Sequence, residues 1–108
     1  MDAVELIYIG AEYKRGLVYD DGSTFSVKPA VTLYNVSYKK YYKAEVTLRA
    51  GNTGCDFVFD AALTKTMIQG AYALEIYEDD TMTKMLKRVE YYAKAIEVTA
   101  SQITNENR

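Results

Sequence analysis

Along much of this chain apolar and polar residues alternate with a period of two, the signature of a strand buried on one face. The clearest stretch is Tyr42–Arg49, where Ala44, Val46 and Leu48 point one way and Lys43, Glu45, Thr47 and Arg49 the other. Tyr72, Leu74 and Ile76 alternate in the same way with Ala73, Glu75 and Tyr77, and Phe57 and Phe59 with Asp56, Val58 and Asp60. Val4 to Ile9 reads as a first strand. Val31, Leu33 and Asn35 interleave with Thr32, Tyr34 and Val36, so that strand is expected to be covered on both faces.

Turn residues separate these runs. Gly10 and Gly16 bound a short link holding Glu12, Tyr13, Lys14 and Arg15. Asp20-Asp21-Gly22 is a turn signal, because glycine tolerates positive φ. It predicts a hairpin joining Gly16–Tyr19 to Thr24–Val27. Pro29, the sole proline, belongs at an edge or a connection. Ala50–Gly54 is a turn, 63–68 a helical turn or loop ended by Gln69-Gly70, and Glu78–Thr81 an acidic turn. Turns recurring at short intervals predict a sandwich or small barrel.

The C-terminal third admits two readings. Met82, Met85, Leu86, Val89, Tyr92, Ala93, Ile96 and Ile103 lie near helical spacing, and Asp80 could cap a helix from about residue 81, which would make the fold α+β. Val89, Tyr91, Tyr92, Ile96, Val98 and Thr99 favour strands, so one or two strands between Met85 and Val98 are the preferred reading. Residues 101–108 are a polar tail. No repeat or linker interrupts the chain, so 1–108 is expected to form one mainly-β domain, with 1–16 an edge strand or N-terminal arm.

Composition narrows the functional classes. At 108 residues, folding buries roughly two-thirds of the unfolded chain's surface, enough for one core without metals or disulfides. The net charge of −2 is too balanced for a general polyanion binder. No apolar run approaches the ~20 residues that span a bilayer. The acidic start, Met1-Asp2-Ala3-Val4-Glu5, does not resemble a signal peptide, so synthesis in the cytoplasm is expected. Asn35-Val36-Ser37 is accordingly taken as a chance match to a glycosylation site. There is no histidine and one cysteine, Cys55, which removes imidazole bases, Cys–His pairs and most metal sites. No catalytic residue, cofactor or metal is expected.

The remaining clusters have plain structural explanations. Lys39, Lys40 and Lys43 interleave with Tyr38, Tyr41 and Tyr42, a pattern that suits single-stranded nucleic acid, but three lysines supply little affinity at physiological salt. Lysines blunting a sheet edge account for them better. Glu78, Asp79 and Asp80 lack the ligand spacing of a calcium loop. Asp56 and Asp60 would share an exposed strand face rather than form a hydrolytic pair. Cys55, beside Asp56, reads as an ordinary buried or half-buried small residue, and the glycines fit no phosphate loop.

One ordered series of segments is more informative. Lys43–Leu48 is followed by Asp56–Phe59, Leu63–Met67, Gly70–Tyr77, a polar turn, and a closing segment that ends Ala95-Ile96-Glu97-Val98. This order, and above all Gly70-Ala71-Tyr72-Ala73-Leu74-Glu75-Ile76 after a short helical turn, resembles the immunoglobulin-like β-sandwich modules of bacteriophage virion proteins. The likeness covers slightly more than half the chain, and Lys87-Arg88-Val89 lacks the glycine such modules often carry near the last strand. The resemblance implies an antiparallel β-sandwich and a non-enzymatic structural protein of a virion, assembled in the host cytoplasm. A capsid auxiliary or decoration protein bound to the shell in many copies is the first expectation. A tail, baseplate or head-fibre adaptor, or a cellular binding module, is the alternative.

Partners are then other virion proteins, such as the major capsid protein or tail components, or further copies of the chain, with neither nucleic acid nor membrane. Tyrosine is favoured at interfaces because it buries a large ring at small entropic cost. Of 11 tyrosines, Tyr34, Tyr38, Tyr41, Tyr77 and Tyr91 (or its neighbour Tyr92) are the candidate interface residues. Met1–Gly16 is expected to pair with a neighbour's sheet edge.

Overall fold

A computed structural model describes residues 4–95. Eight strands form two sheets: β1 (Glu5–Ile9), β2 (Tyr13–Leu17), β3 (Ala30–Asn35), β4 (Lys40–Lys43), β5 (Glu45–Leu48), β6 (Cys55–Phe59), β7 (Gly70–Tyr77) and β8 (Met85–Ala95). A 3-10 turn lies at Ala50–Asn52, and a single helical turn, α1, at Ala61–Thr64. The larger sheet has the order β1-β8-β7-β3-β4 and the smaller β2-β6-β5. Every pairing is antiparallel except β1 with β8, which run parallel. The mainly-β sandwich expected from the alternation is what forms. The rival helix from about residue 81 is not: Met85–Ala95 is one strand of 11 residues. Pairing with β7 on one side and β1 on the other outweighs the near-helical spacing of its apolar residues. Residues 96–98 of the expected last strand, and the tail 101–108, lie outside the described residues.

The inner faces of the two sheets make one core. Ile7, Leu33, Tyr72, Leu74 and Ile76 come from the larger sheet, and Tyr13, Val46, Cys55, Phe57 and Phe59 from the smaller. The alternation over 42–49 is present as expected, yet the segment is two strands, not one. At Ala44 the chain passes from the larger sheet to the smaller, and the Ala44 N–H donates to the Val31 carbonyl at 2.8 Å. Corners of this kind let one inward-facing series serve both layers. Tyr13 and Tyr91 tie the layers together across the core, their hydroxyls 2.7 Å apart.

Three local expectations are corrected. The link around Tyr13 is strand β2, paired with β6. Arg15 hid the pattern, for it occupies the same parity as Tyr13 and lays its guanidinium over that ring at 4.3 Å. The hairpin across Asp20-Asp21-Gly22 does not form, although the turn does: Gly22 takes φ +79° and donates to the Tyr19 carbonyl. Phe25 leaves that path to plug the sandwich end, with its N–H donating to the Asn52 carbonyl at 2.8 Å and its ring 4.6 Å from Tyr19. The helical turn starts earlier than residue 63, because the Asp60 carboxylate caps it by accepting from the Leu63 N–H at 2.7 Å.

β1 pairs with β8 of the chain's own sheet. Ile7 is 1% exposed and sits in the core opposite Ala93. The bend after β1 is held by buried Thr64, whose hydroxyl donates to the Ala11 carbonyl at 2.8 Å and accepts from the Gly10 N–H at 3.1 Å.

Candidate docking surface

Strand residues alternate between faces, so the register defines the side of the five-stranded sheet that turns away from the core. One row across it reads Leu6, Tyr92, Ala71. A second reads Glu90, Ala73, Tyr34, Tyr41, and a third Arg88, Glu75, Thr32, Lys43. Three chemically distinct zones result.

At the β1 corner the surface is apolar. Val4, Leu6 and Tyr8 are each 44–45% exposed and Tyr92 is 37% exposed. Small Ala71 leaves a shallow depression beside Val4 and Tyr92, bordered by Arg88 and Glu90 and closed on the far side by exposed Val36. At the β3–β4 side, the rings of Tyr34 and Tyr41 stack at 4.6 Å, with Tyr41 and Tyr38 open to solvent.

Between these zones lies a buried carboxylate. Glu75 is only 6% exposed; its Oε1 accepts from the Tyr77 hydroxyl at 2.7 Å, and its Oε2 lies 3.5 Å from Arg88 Nε. Burial, reinforced by the neighbouring carboxylate, pushes the Tyr77 phenol well above the usual tyrosine range. A buried carboxylate needs such partners, and here they are its neighbours along and across the sheet. This centre is therefore satisfied internally and offers no unpaired group to a substrate.

The expected interface tyrosines thus separate. Tyr38 and Tyr41 are exposed and Tyr34 is half-buried beside Tyr41. Tyr77 and Tyr91 are corrections, at 8% and 6% exposure. Tyr77 lies over Glu75, and Tyr91 points between the sheets to Tyr13. Its neighbour Tyr92 has the opposite parity and takes the surface position. Val4, Leu6 and Tyr8 were not singled out by sequence reasoning. The available signal was the run Leu6-Ile7-Tyr8-Ile9, apolar at both parities in an edge strand, where one face has no core to meet.

The other charged clusters are engaged locally. Lys43 pairs with Asp80, Lys84 with Glu78 at 3.1 Å, and Asp79 accepts from Thr81. Lys40 lies over the ring of Tyr42, which is itself buried and so cannot stack on a base. Asp56 pairs with Arg49 at 2.8 Å, which holds its carboxyl below the usual range, while Asp60 caps α1; the two carboxylates do not act together. Cys55 is fully buried, and burial raises its thiol pKa, with Asp56 adding to the effect. Among the described residues, no three Cys, Asp or Glu side chains converge as metal ligands.

Comparison with known protein families finds no model that matches the chain, and comparison with curated proteins finds no match either.

Proposed function

We propose that the chain is a non-catalytic structural protein that docks on a protein assembly through the outer face of its five-stranded sheet. The observation that carries this reading is the apolar corner of Val4, Leu6, Tyr8 and Tyr92, which the fold leaves in solvent beside a satisfied polar centre. Exposed apolar groups gathered on one face, with aromatic side chains among them, are characteristic of protein–protein contact. The assembly proposed is a phage virion, with the chain as a capsid auxiliary protein present in many copies. That part rests on the segment order that resembles virion β-sandwich modules.

The experiment is quantitative mass spectrometry of density-purified particles from the chain's native source. The reading expects this chain to co-purify at a fixed ratio near that of the major shell protein. A few copies per particle would move it to the tail or baseplate. Absence from particles would make it a cellular binding module.

A further inference from the structure

The two sheets have four outer edges, β1 and β4 in the larger and β2 and β5 in the smaller. A bare edge presents unpaired N–H and C=O groups and invites another strand, so natural proteins blunt it with short length, charge or proline. Three of the four are blunted here. β4 is four residues long and carries Lys40 and Lys43. β5 is also four residues, led by Glu45 and followed by Arg49. β2 carries Lys14 and Arg15, with Arg15 on the parity that faces the core. β1 differs: after Glu5 it is Leu6-Ile7-Tyr8-Ile9, without lysine, arginine or proline. Among the described residues, no strand pairs with its outer edge.

We infer that β1 pairs antiparallel with β1 of a second copy of this chain, joining two five-stranded sheets across a two-fold axis at Ile7. The strand's own sequence supports this occupant. An antiparallel register centred on Ile7 sets Leu6 opposite the partner copy's Tyr8 and Glu5 opposite its Ile9. Leu6, Ile7 and Tyr8 then meet apolar residues, and Glu5, the only charged position, faces Ile9, so no like charges oppose. A two-fold contact requires this self-complementarity. The pairing also brings the exposed Leu6 and Tyr8 of both copies onto one face, continuous with Val4 and Tyr92. Five-residue pairing buries a small area, so the dimer should be concentration-dependent. The inference does not depend on the virion reading, since it concerns the isolated chain.

The test is a pair of double variants that differ only in the sign of charge at position 6, with mass in solution measured by sedimentation over a concentration series. In L6E/Y8E, acidic groups face each other across the axis at both flanking pairs. In L6K/Y8E, opposite charges face each other there. Both leave Ile7 in place and put a carboxylate beside Lys94, the neighbour of Tyr8 on β8. Melting temperature checks that both fold. The expected result is a dimerising wild type, a monomeric L6E/Y8E, and dimerisation regained in L6K/Y8E. A wild type that stays monomeric at every concentration, or two variants that associate equally, would overturn the inference.

Discussion

Among the described residues, the Tyr13–Tyr91 hydrogen bond is the one side-chain hydrogen bond joining the inner faces of the two sheets, and it can be measured. Each ring is almost fully buried, at 7% and 6% exposure, and the rings meet edge to face at 5.6 Å. Tyr91→Phe keeps the ring contact and removes one hydroxyl, leaving the other without its partner. An orphaned buried hydroxyl costs about 1–3 kcal/mol. The groove between β2 and β8, with Glu5, Arg15 and Lys87 around it, opens beside the pair and gives water a route in, so a value near the lower end is expected. For a domain of this size each kcal/mol lowers the melting temperature by about 4–8 °C. Tyr13→Phe should cost a similar amount. The Tyr13→Phe, Tyr91→Phe double variant removes both hydroxyls, leaves nothing orphaned, and should cost clearly less than the sum of the singles. Urea unfolding of the four proteins closes the cycle, with a coupling of about 1 kcal/mol expected. Additive losses would show that the hydroxyls do not depend on each other, refuting the inter-sheet link.

Other outcomes follow from the same packing. Ile7→Ala should destabilise the isolated chain by about 2–5 kcal/mol, the usual range for a core isoleucine, and a loss below about 1 kcal/mol in urea unfolding would place β1 outside the core. Tyr72, Tyr77 and Tyr91 all have phenol pKa values raised chiefly by burial. The folded state therefore holds protons that unfolded tyrosines release near pH 10, and stability is fully present below that pH and lost as pH rises above it. The urea midpoint should fall above about pH 10 together with the rise of phenolate absorbance; a midpoint flat through that range would contradict the burial of these rings. Gly54→Ala should lower the melting temperature more than Gly16→Ala. A Cβ at Gly54 would lie 3.0 Å from the Leu17 carbonyl oxygen and 3.1 Å from Val18, whereas one at Gly16 meets chiefly the flexible end of Arg49.

Strand parity was legible wherever one face met the core and the other met water, as in Ala44-Glu45-Val46-Thr47 and Asp56–Phe59. It failed where tertiary context assigned the second face. β7 is buried on both faces from Tyr72 to Ile76, because it lies between β8 and β3 and its outer side carries Ala73 and the enclosed Glu75. β2 was obscured by one charged residue at an inward parity, Arg15, which only the neighbouring Tyr13 ring explains. The hairpin at Gly22 was lost to a long-range demand, since Phe25 reaches the Asn52 carbonyl instead of a local partner. Counting tyrosines identified Tyr38 and Tyr41 as surface rings. It could not separate Tyr91 from Tyr92, since adjacent strand residues exchange faces with a one-residue change of register. Nor could alternation reveal the apolar corner at Leu6 and Tyr8, which point to the sheet's outer face while Ile7 between them enters the core.

Docking through the outer face is tested most directly by charging that face without touching β1 or the core. Tyr92→Lys and Tyr41→Lys alter exposed rings on opposite sides of it. Copies bound per purified particle are counted for each variant, with the melting temperature of the free protein measured alongside. The account predicts that the Tyr92 variant, at the apolar corner, loses most of its particle-bound copies while melting within a few degrees of the parent. A correctly folded Tyr92 variant that binds particles at the parent's copy number would contradict it.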